Sequence, residues 1–124
     1  MIMTKGQIED TISKLTTKFY LENIGVGPTS VKTYILDDMV IVRTQGKLFP
    51  IEQKILLGNK GIELVKDIRK TFHEVAASKL ITLIEAVVHQ SIVSTHTDVS
   101  TKTGESVVIF VFKENLEKNI LNLR

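Results

Sequence analysis

From Thr4 onward the apolar residues Ile8, Ile12, Leu15 and Phe19 fall four, three and four apart, which aligns them on one helical face and predicts a first helix to about Asn23. Gly25-Val26-Gly27-Pro28 ends it, because glycine accepts a left-handed cap and proline cannot continue the ladder. The period then shortens. Val31 to Leu36 and Met39 to Thr44 are β-rich runs around Asp37 and Asp38, short polar residues that suit a two-residue hairpin loop. With that loop, Val31, Thr33 and Ile35 share a face with Val40, Val42 and Thr44, while Tyr34, Leu36, Met39 and Ile41 share the other. Both faces are mostly apolar, so the helices of the domain cover one, and a second subunit is the simplest cover for the other.

Pro50 sits where a first helical turn tolerates it and opens a short connecting helix that ends near Gly58 and Asn59. After Gly61 the residues Ile62, Val65, Ile68, Phe72, Val75, Leu80, Leu83, Ile84 and Val87 recur at helical spacing to about His89. Such a helix is about 40 Å long at the standard rise. Ser91 to Val99 and Ser106 to Phe112 form a second hairpin, with Gly104 as the left-handed residue of a four- or five-residue loop. A loop of odd length places Val93, Thr95, Thr97 and Val99 beside Val107, Ile109 and Val111, and turns Ile92, Ser94, His96 and Asp98 the other way. Lys113 to Arg124 carries Leu116, Ile120 and Leu123 at helical spacing, which predicts a C-terminal amphipathic helix. The order implies one α+β domain over residues 1–124. It has two layers, with an antiparallel sheet of about four strands from two hairpins packed on the long helix, and helices at both ends.

Composition narrows the function classes. The 124 residues suffice for a single core without staples. Sixteen basic and 14 acidic residues interleave to a net +2, with no basic block to neutralise phosphates, so nucleic acid is not an expected partner. The chain has no Cys, which excludes disulfides and thiolate metal sites. No apolar run reaches the length of a transmembrane helix and the first ten residues lack a signal-peptide core, so the expected location is the cytoplasm, with peripheral attachment to a membrane complex open.

The candidate chemistry is concentrated between Ser94 and Glu105. His96 and Asp98 lie two apart on a predicted strand, so they share a face and could act as an oriented acid/base pair or, alternatively, as a hydrogen-bonded structural pair. Ser100, Thr103, Gly104 and Glu105 add hydroxyls, turn amides and a carboxylate that could hold a ligand, or could simply close a polar loop. Lys102 precedes Gly104 and a strand follows, the reverse of a phosphate-binding P-loop. Lys32 and Arg43 face each other across the first hairpin, a like-charge pair that either holds an anion or an acidic partner between its members or splays both side chains into water. His73 and His89 stand far apart on the long helix, no metal motif is present, and no cofactor is expected.

The chain also resembles a family of small bacterial and archaeal proteins, the MpsC component of a sodium-translocating, membrane-potential-generating system. Carrying the resemblance are Gly27-Pro28, Val31-Lys32, Tyr34 and Asp38-Met39-Val40, then Gly46-Lys47-Leu48, Pro50 and Glu52, then Gly61, Glu63-Leu64-Val65-Lys66 and Arg69. The most specific stretch holds Ser94, His96, Asp98, Ser100, Thr103, Gly104 and Glu105. Two positions depart from the family pattern: Phe49 stands where a Thr usually precedes the helix-opening Pro, removing a capping hydroxyl, and Val26 stands where a basic residue is usual. The resemblance implies association with a membrane bioenergetic system; taken with the lack of a nucleophile, metal set or cofactor loop it leads to a cytoplasmic accessory or regulatory protein that is non-enzymatic, and the two apolar faces of the first hairpin add a homodimer through Tyr34, Leu36, Met39 and Ile41. A small-molecule- or anion-binding sensor is the alternative, and an enzyme using His96 and Asp98 stands behind both.

Overall fold

A computed structural model describes residues 3–122. Helix α1 (Lys5–Ile24) starts at a capping box in which Thr4 Oγ1 accepts from Gln7 N at 3.1 Å and Gln7 Oε1 accepts from Thr4 N at 2.8 Å. It ends at Gly25, whose φ of 87° is the left-handed cap. Strands β1 (Ser30–Leu36) and β2 (Met39–Gln45) form the first hairpin with Asp37 and Asp38 as its loop, as the alternation predicts. The Asp37–Asp38 turn is tied into the fold: Asp37 N donates to Glu117 Oε1 at 3.0 Å and Asp38 O accepts from Phe112 N at 2.7 Å. Helix α2 (Pro50–Ile55) and the long helix α3 (Gly61–Val88) follow, then β3 (Ile92–Val99), β4 (Ser106–Phe112) and α4 (Leu116–Asn122).

The four strands are all antiparallel in the order β1-β2-β4-β3, so the two hairpins join through β2 and β4. Helices line one face only. Helix α1 packs over β1, α3 over β3, and the two helices meet each other. Ile8, Ile12 and Phe19 of α1, Ala76, Leu80 and Ile84 of α3, and Leu116 and Ile120 of α4 enclose a core with Ile35, Val40, Val42, Phe110 and Phe112 of the sheet. Leu123, the third apolar position expected on the last helix, lies outside the described residues.

The second hairpin departs from the expected pairing. Val99 pairs with Ser106, so the loop is the six residues Ser100–Glu105, and its even length reverses the faces. Thr95, Thr97 and Val99 therefore lie with Phe110, Val108 and Ser106 toward the helices, while Val107, Ile109 and Val111 lie with Asp98, His96 and Ser94 on the outside. An irregularity between Ile92 and Ser94 then breaks the alternation: Ile92 pairs with Phe112 and packs on the core, and Val93 is exposed. The physical reason is size. This register buries two phenylalanines at 2% exposure each, whereas the expected one would bury three smaller residues and leave both rings in water.

Candidate functional site

The Ser100–Glu105 loop uses most of its polar groups on itself. Ser100 Oγ accepts from the amides of Lys102 and Thr103 at 3.3 Å, Thr103 Oγ1 accepts from Glu105 N at 3.2 Å, and Ser100 O accepts from Gly104 N at 2.8 Å. Gly104 is buried with a φ of 79°, and a Cβ there would stand 2.5 Å from Gly46 O and 2.9 Å from Leu48 N. The loop is thus seated against the β2–α2 connection, and a side chain at Gly104 would push the two apart.

Glu105 leaves the loop toward β2, where its Oε2 accepts from Arg43 Nη2 at 2.8 Å and lies 3.5 Å from Gln45 Nε2. The Arg43 hydrogen bond holds the Glu105 carboxyl below the usual range, and Glu105 in turn raises Arg43. Glu105 is thus the acidic partner of Arg43, and the register places Lys32 beside Arg43 on the neighbouring strand.

His96 and Asp98 stand on the outer face of β3, an edge strand. His96 Nε2 is 3.4 Å from Ser94 Oγ, and Asp98 Oδ1 accepts from Val99 N at 2.8 Å with Lys66 Nζ 3.7 Å away. Lys32 is on β1, at the opposite edge of the sheet. The structure therefore brings Arg43 together with Glu105, whereas His96 and Asp98 share a face but bond to other groups, and the eight candidate residues do not converge on one cleft. Among the described residues no group of three or more His, Asp or Glu side chains is placed to hold a metal ion. Because His96 and Asp98 are exposed, replacing both by Ala should move the melting temperature by no more than about 2 °C, measured by circular dichroism.

On the outer face the side chains form three rows across the four strands. Lys32, Arg43, Val107 and Asp98 make the first, Tyr34, Ile41, Ile109 and His96 the second, and Leu36, Met39, Val111 and Ser94 the third. No described helix covers them, and Tyr34 and Leu36 are 45% and 50% exposed. The middle of a four-stranded sheet thus presents a contiguous apolar patch.

A second feature lies on the helix side, where α3 stands off from β3 and β4. An open groove of about 290 Å³ runs between them over Leu80, Val108 and Phe110, with His73, Lys70, Thr95 and Thr97 along its walls. A neighbouring hollow of about 230 Å³ shares Lys70, His73 and Thr97 and extends to Lys66 and Arg69. Thr97 Oγ1 is buried there without a hydrogen-bond partner.

His73 packs edge-on against Phe72 and Tyr20, with ring centroids 5.6 and 6.4 Å apart. Burial first, and then the nearby Arg69 charge, push its imidazole down to about 4. The unfolded chain takes up this proton near 6.5 and the folded chain resists until about 4. Stability is therefore full above 6.5 and falls as the pH drops through that window, by roughly 2–3 kcal/mol. Urea melts at pH 7 and pH 4.5 should show the loss, and His73→Leu should flatten it.

Sequence patterns missed the most tightly held charges. Glu52 on α2 and Arg69 on α3 form a two-pronged pair, Nε to Oε2 and Nη2 to Oε1, each 2.7 Å, with side chains only 7% and 15% exposed. Glu52 Oε1 also accepts from Phe49 N at 2.8 Å, the half of a capping box that Glu52 supplies, while the Phe49 side chain makes no cap bond to the helix amides. The guanidinium lies 5.3 Å from the Phe49 ring centroid. Glu52 is accordingly held below the usual carboxylate range, chiefly by the Arg69 hydrogen bond.

Comparison with known proteins finds a family match over nearly the whole chain. A family model described as Na+-translocating membrane potential-generating system (MpsC) matches residues 4–114. The uncharacterized protein YbcI of Bacillus subtilis (strain 168) is 38% identical over 120 residues, covering 97% of each chain. No solved structure matches. The helix-backed four-stranded sheet described above, with its Glu105-tethered hairpin loop, is thus the structure of a chain that belongs to the MpsC family.

Proposed function

We propose that this protein is a cytoplasmic accessory or regulatory subunit of a sodium-translocating, membrane-potential-generating system, which works by association and not by catalysis, as a homodimer closed over its open sheet face. The observation that carries the reading is that face. A patch including Tyr34, Leu36, Met39 and Ile41 is left without a helix over it, and contiguous exposed apolar surface of this kind marks interaction sites. Family membership supports the membrane system as the setting. No described helix is long and apolar enough to cross a membrane, so contact with such a system would be peripheral. The loop hydroxyls of Ser100 and Thr103 are occupied in holding their own turn, which suits a structural hairpin better than a reaction centre.

The test is the potential itself. Everted membrane vesicles from source cells lacking the chain should show a reduced sodium-dependent potential that returns on adding the purified protein. An unchanged potential in the depleted vesicles would overturn the reading.

A second reading, a small-molecule sensor, is favoured by the α3–β3 groove and the unpartnered Thr97 hydroxyl within it. Its volume of about 290 Å³ sits at the lower edge of the range for ligand pockets. Native mass spectrometry discriminates: the accessory reading expects the chain or its dimer with nothing else bound, and a retained small molecule supports the sensor.

A further inference from the structure

From the row order on the outer face we infer that the homodimer has its two-fold axis running along the strands, so that β1 of one copy lies over β3 of the other and Lys32 meets Asp98 twice. The inference rests on the sheet-face dimer proposed above and goes beyond it by choosing between the two ways such a face can meet itself. Two sheets packed face to face keep their strands nearly aligned, so the two-fold axis runs either along the strands or across them. The two choices give different neighbours.

An axis across the strands stacks each strand on its own copy and exchanges the first row with the third. Lys32 would then oppose Leu36 of the partner subunit, Arg43 would oppose a Met side chain, and Tyr34 would face its own copy. Of these, Lys32 on Leu36 and Tyr34 on itself count against this axis, whereas Arg43 meets an apolar side chain with either axis, since an axis along the strands sets it on Val107. An axis along the strands keeps every row and exchanges the sheet edges. Because β1 and β3 are the two edges, Lys32 then opposes Asp98, Tyr34 opposes His96, and the central Ile41 opposes Ile109.

The charges favour the second choice. In the first row Arg43 is already neutralised within its own chain by Glu105 at 2.8 Å. Lys32 has no ion-pair partner among the described residues, and Asp98 has only the long contact to Lys66 at 3.7 Å. The unneutralised cation and the loosely held anion therefore stand at opposite edges of one row, the arrangement that a strand-parallel two-fold axis makes self-complementary. Four strands by three rows give a footprint of roughly 400 Å², small for a stable dimer, so association at micromolar concentration is expected.

Because the chain contains no Cys, cross-linking can read the geometry directly. Within one chain positions 32 and 98 are three strand spacings apart, about 14 Å, too far for an internal disulfide. The Lys32→Cys/Asp98→Cys variant, treated with a thiol-specific cross-linker of about 8 Å span that bridges the roughly 10 Å between packed sheets but not the roughly 14 Å within one chain, should give a covalent dimer on a denaturing gel, while Tyr34→Cys alone should not. Sedimentation velocity should show the unmodified chain as a dimer at tens of micromolar, with Tyr34→Asp raising the dissociation constant about tenfold or more. Cross-linking of Tyr34→Cys to itself would overturn the axis while leaving the face as the interface. A dimer indifferent to Tyr34→Asp, or a monomeric chain, would overturn both the axis and the sheet-face dimer. Circular dichroism on each variant confirms that the fold is kept, which Tyr34 at 45% exposure on an edge strand should allow.

Discussion

Arg69→Ala should lower the unfolding free energy by about 3–5 kcal/mol, because it leaves the Glu52 carboxylate buried with no opposing charge. The magnitude follows from burial and geometry together. Glu52 is 5% exposed, its two oxygens accept from Arg69 at 2.7 Å, and one of them also holds Phe49 N at the start of α2. Removing the guanidinium therefore strands a charge and strips the stacking over Phe49, and α2 loses its anchor on α3. Replacing both partners, as Glu52→Gln with Arg69→Met, should cost less than Arg69→Ala alone, since no buried charge remains. Urea denaturation of both variants and the unmodified chain at pH 7 checks the order. A loss below about 1 kcal/mol for Arg69→Ala would place the pair with ordinary surface ion pairs.

The second large effect separates two adjacent residues on β4. Phe110→Ala should cost about 3–5 kcal/mol, the range for emptying a phenylalanine from a packed core. Phe110 is 2% exposed, paired between Val40 and Thr95, and also forms part of the groove floor. Ile109→Ala, one residue away on the open face, should cost under about 1 kcal/mol in the monomer and weaken self-association instead. Thermal melts at low concentration together with sedimentation at high concentration distinguish the two. If Ile109 proved the costlier residue in the monomer, the second hairpin would have to carry an odd loop and the opposite faces.

That hairpin marks where sequence patterning stops being informative. The first hairpin could be read because Asp37 and Asp38 leave one loop length, and one length sets every face in both strands. In the second, the polar run from Ser94 to Glu105 offers several loop lengths, and a change of one residue reverses the strand. The six-residue loop is selected by tertiary contacts that no local pattern contains: Gly104 seated on Gly46 and Leu48, and Phe110 and Phe112 buried between the helices. The helices were legible from period and caps, and α1 and α3 end within a residue of where spacing places them. Their division of the sheet, with α1 over β1 and α3 over β3, was not.

The polar residues divide in the same way. Lys32 facing Arg43 followed directly from the two-residue loop, but nothing in the pattern linked Arg43 to Glu105, which lies 62 residues on in another hairpin. Glu52 and Arg69 stood out only as positions shared with the family, because a pair 17 residues apart on separate helices has no local signature. His73 read as one more position on a long helix, and its burial beside Tyr20 and Phe72 depends on where α1 crosses α3.

The central claim, a peripheral subunit of a membrane system, is tested most directly by affinity capture of the tagged chain from its source cell, with and without detergent solubilisation of the membranes. The expected result is recovery of an ion-translocating membrane component from the solubilised sample, with loss of that component when the tag is carried by an unrelated protein. Recovery of no membrane component under either condition, together with a purified chain that retains a small molecule, would contradict it.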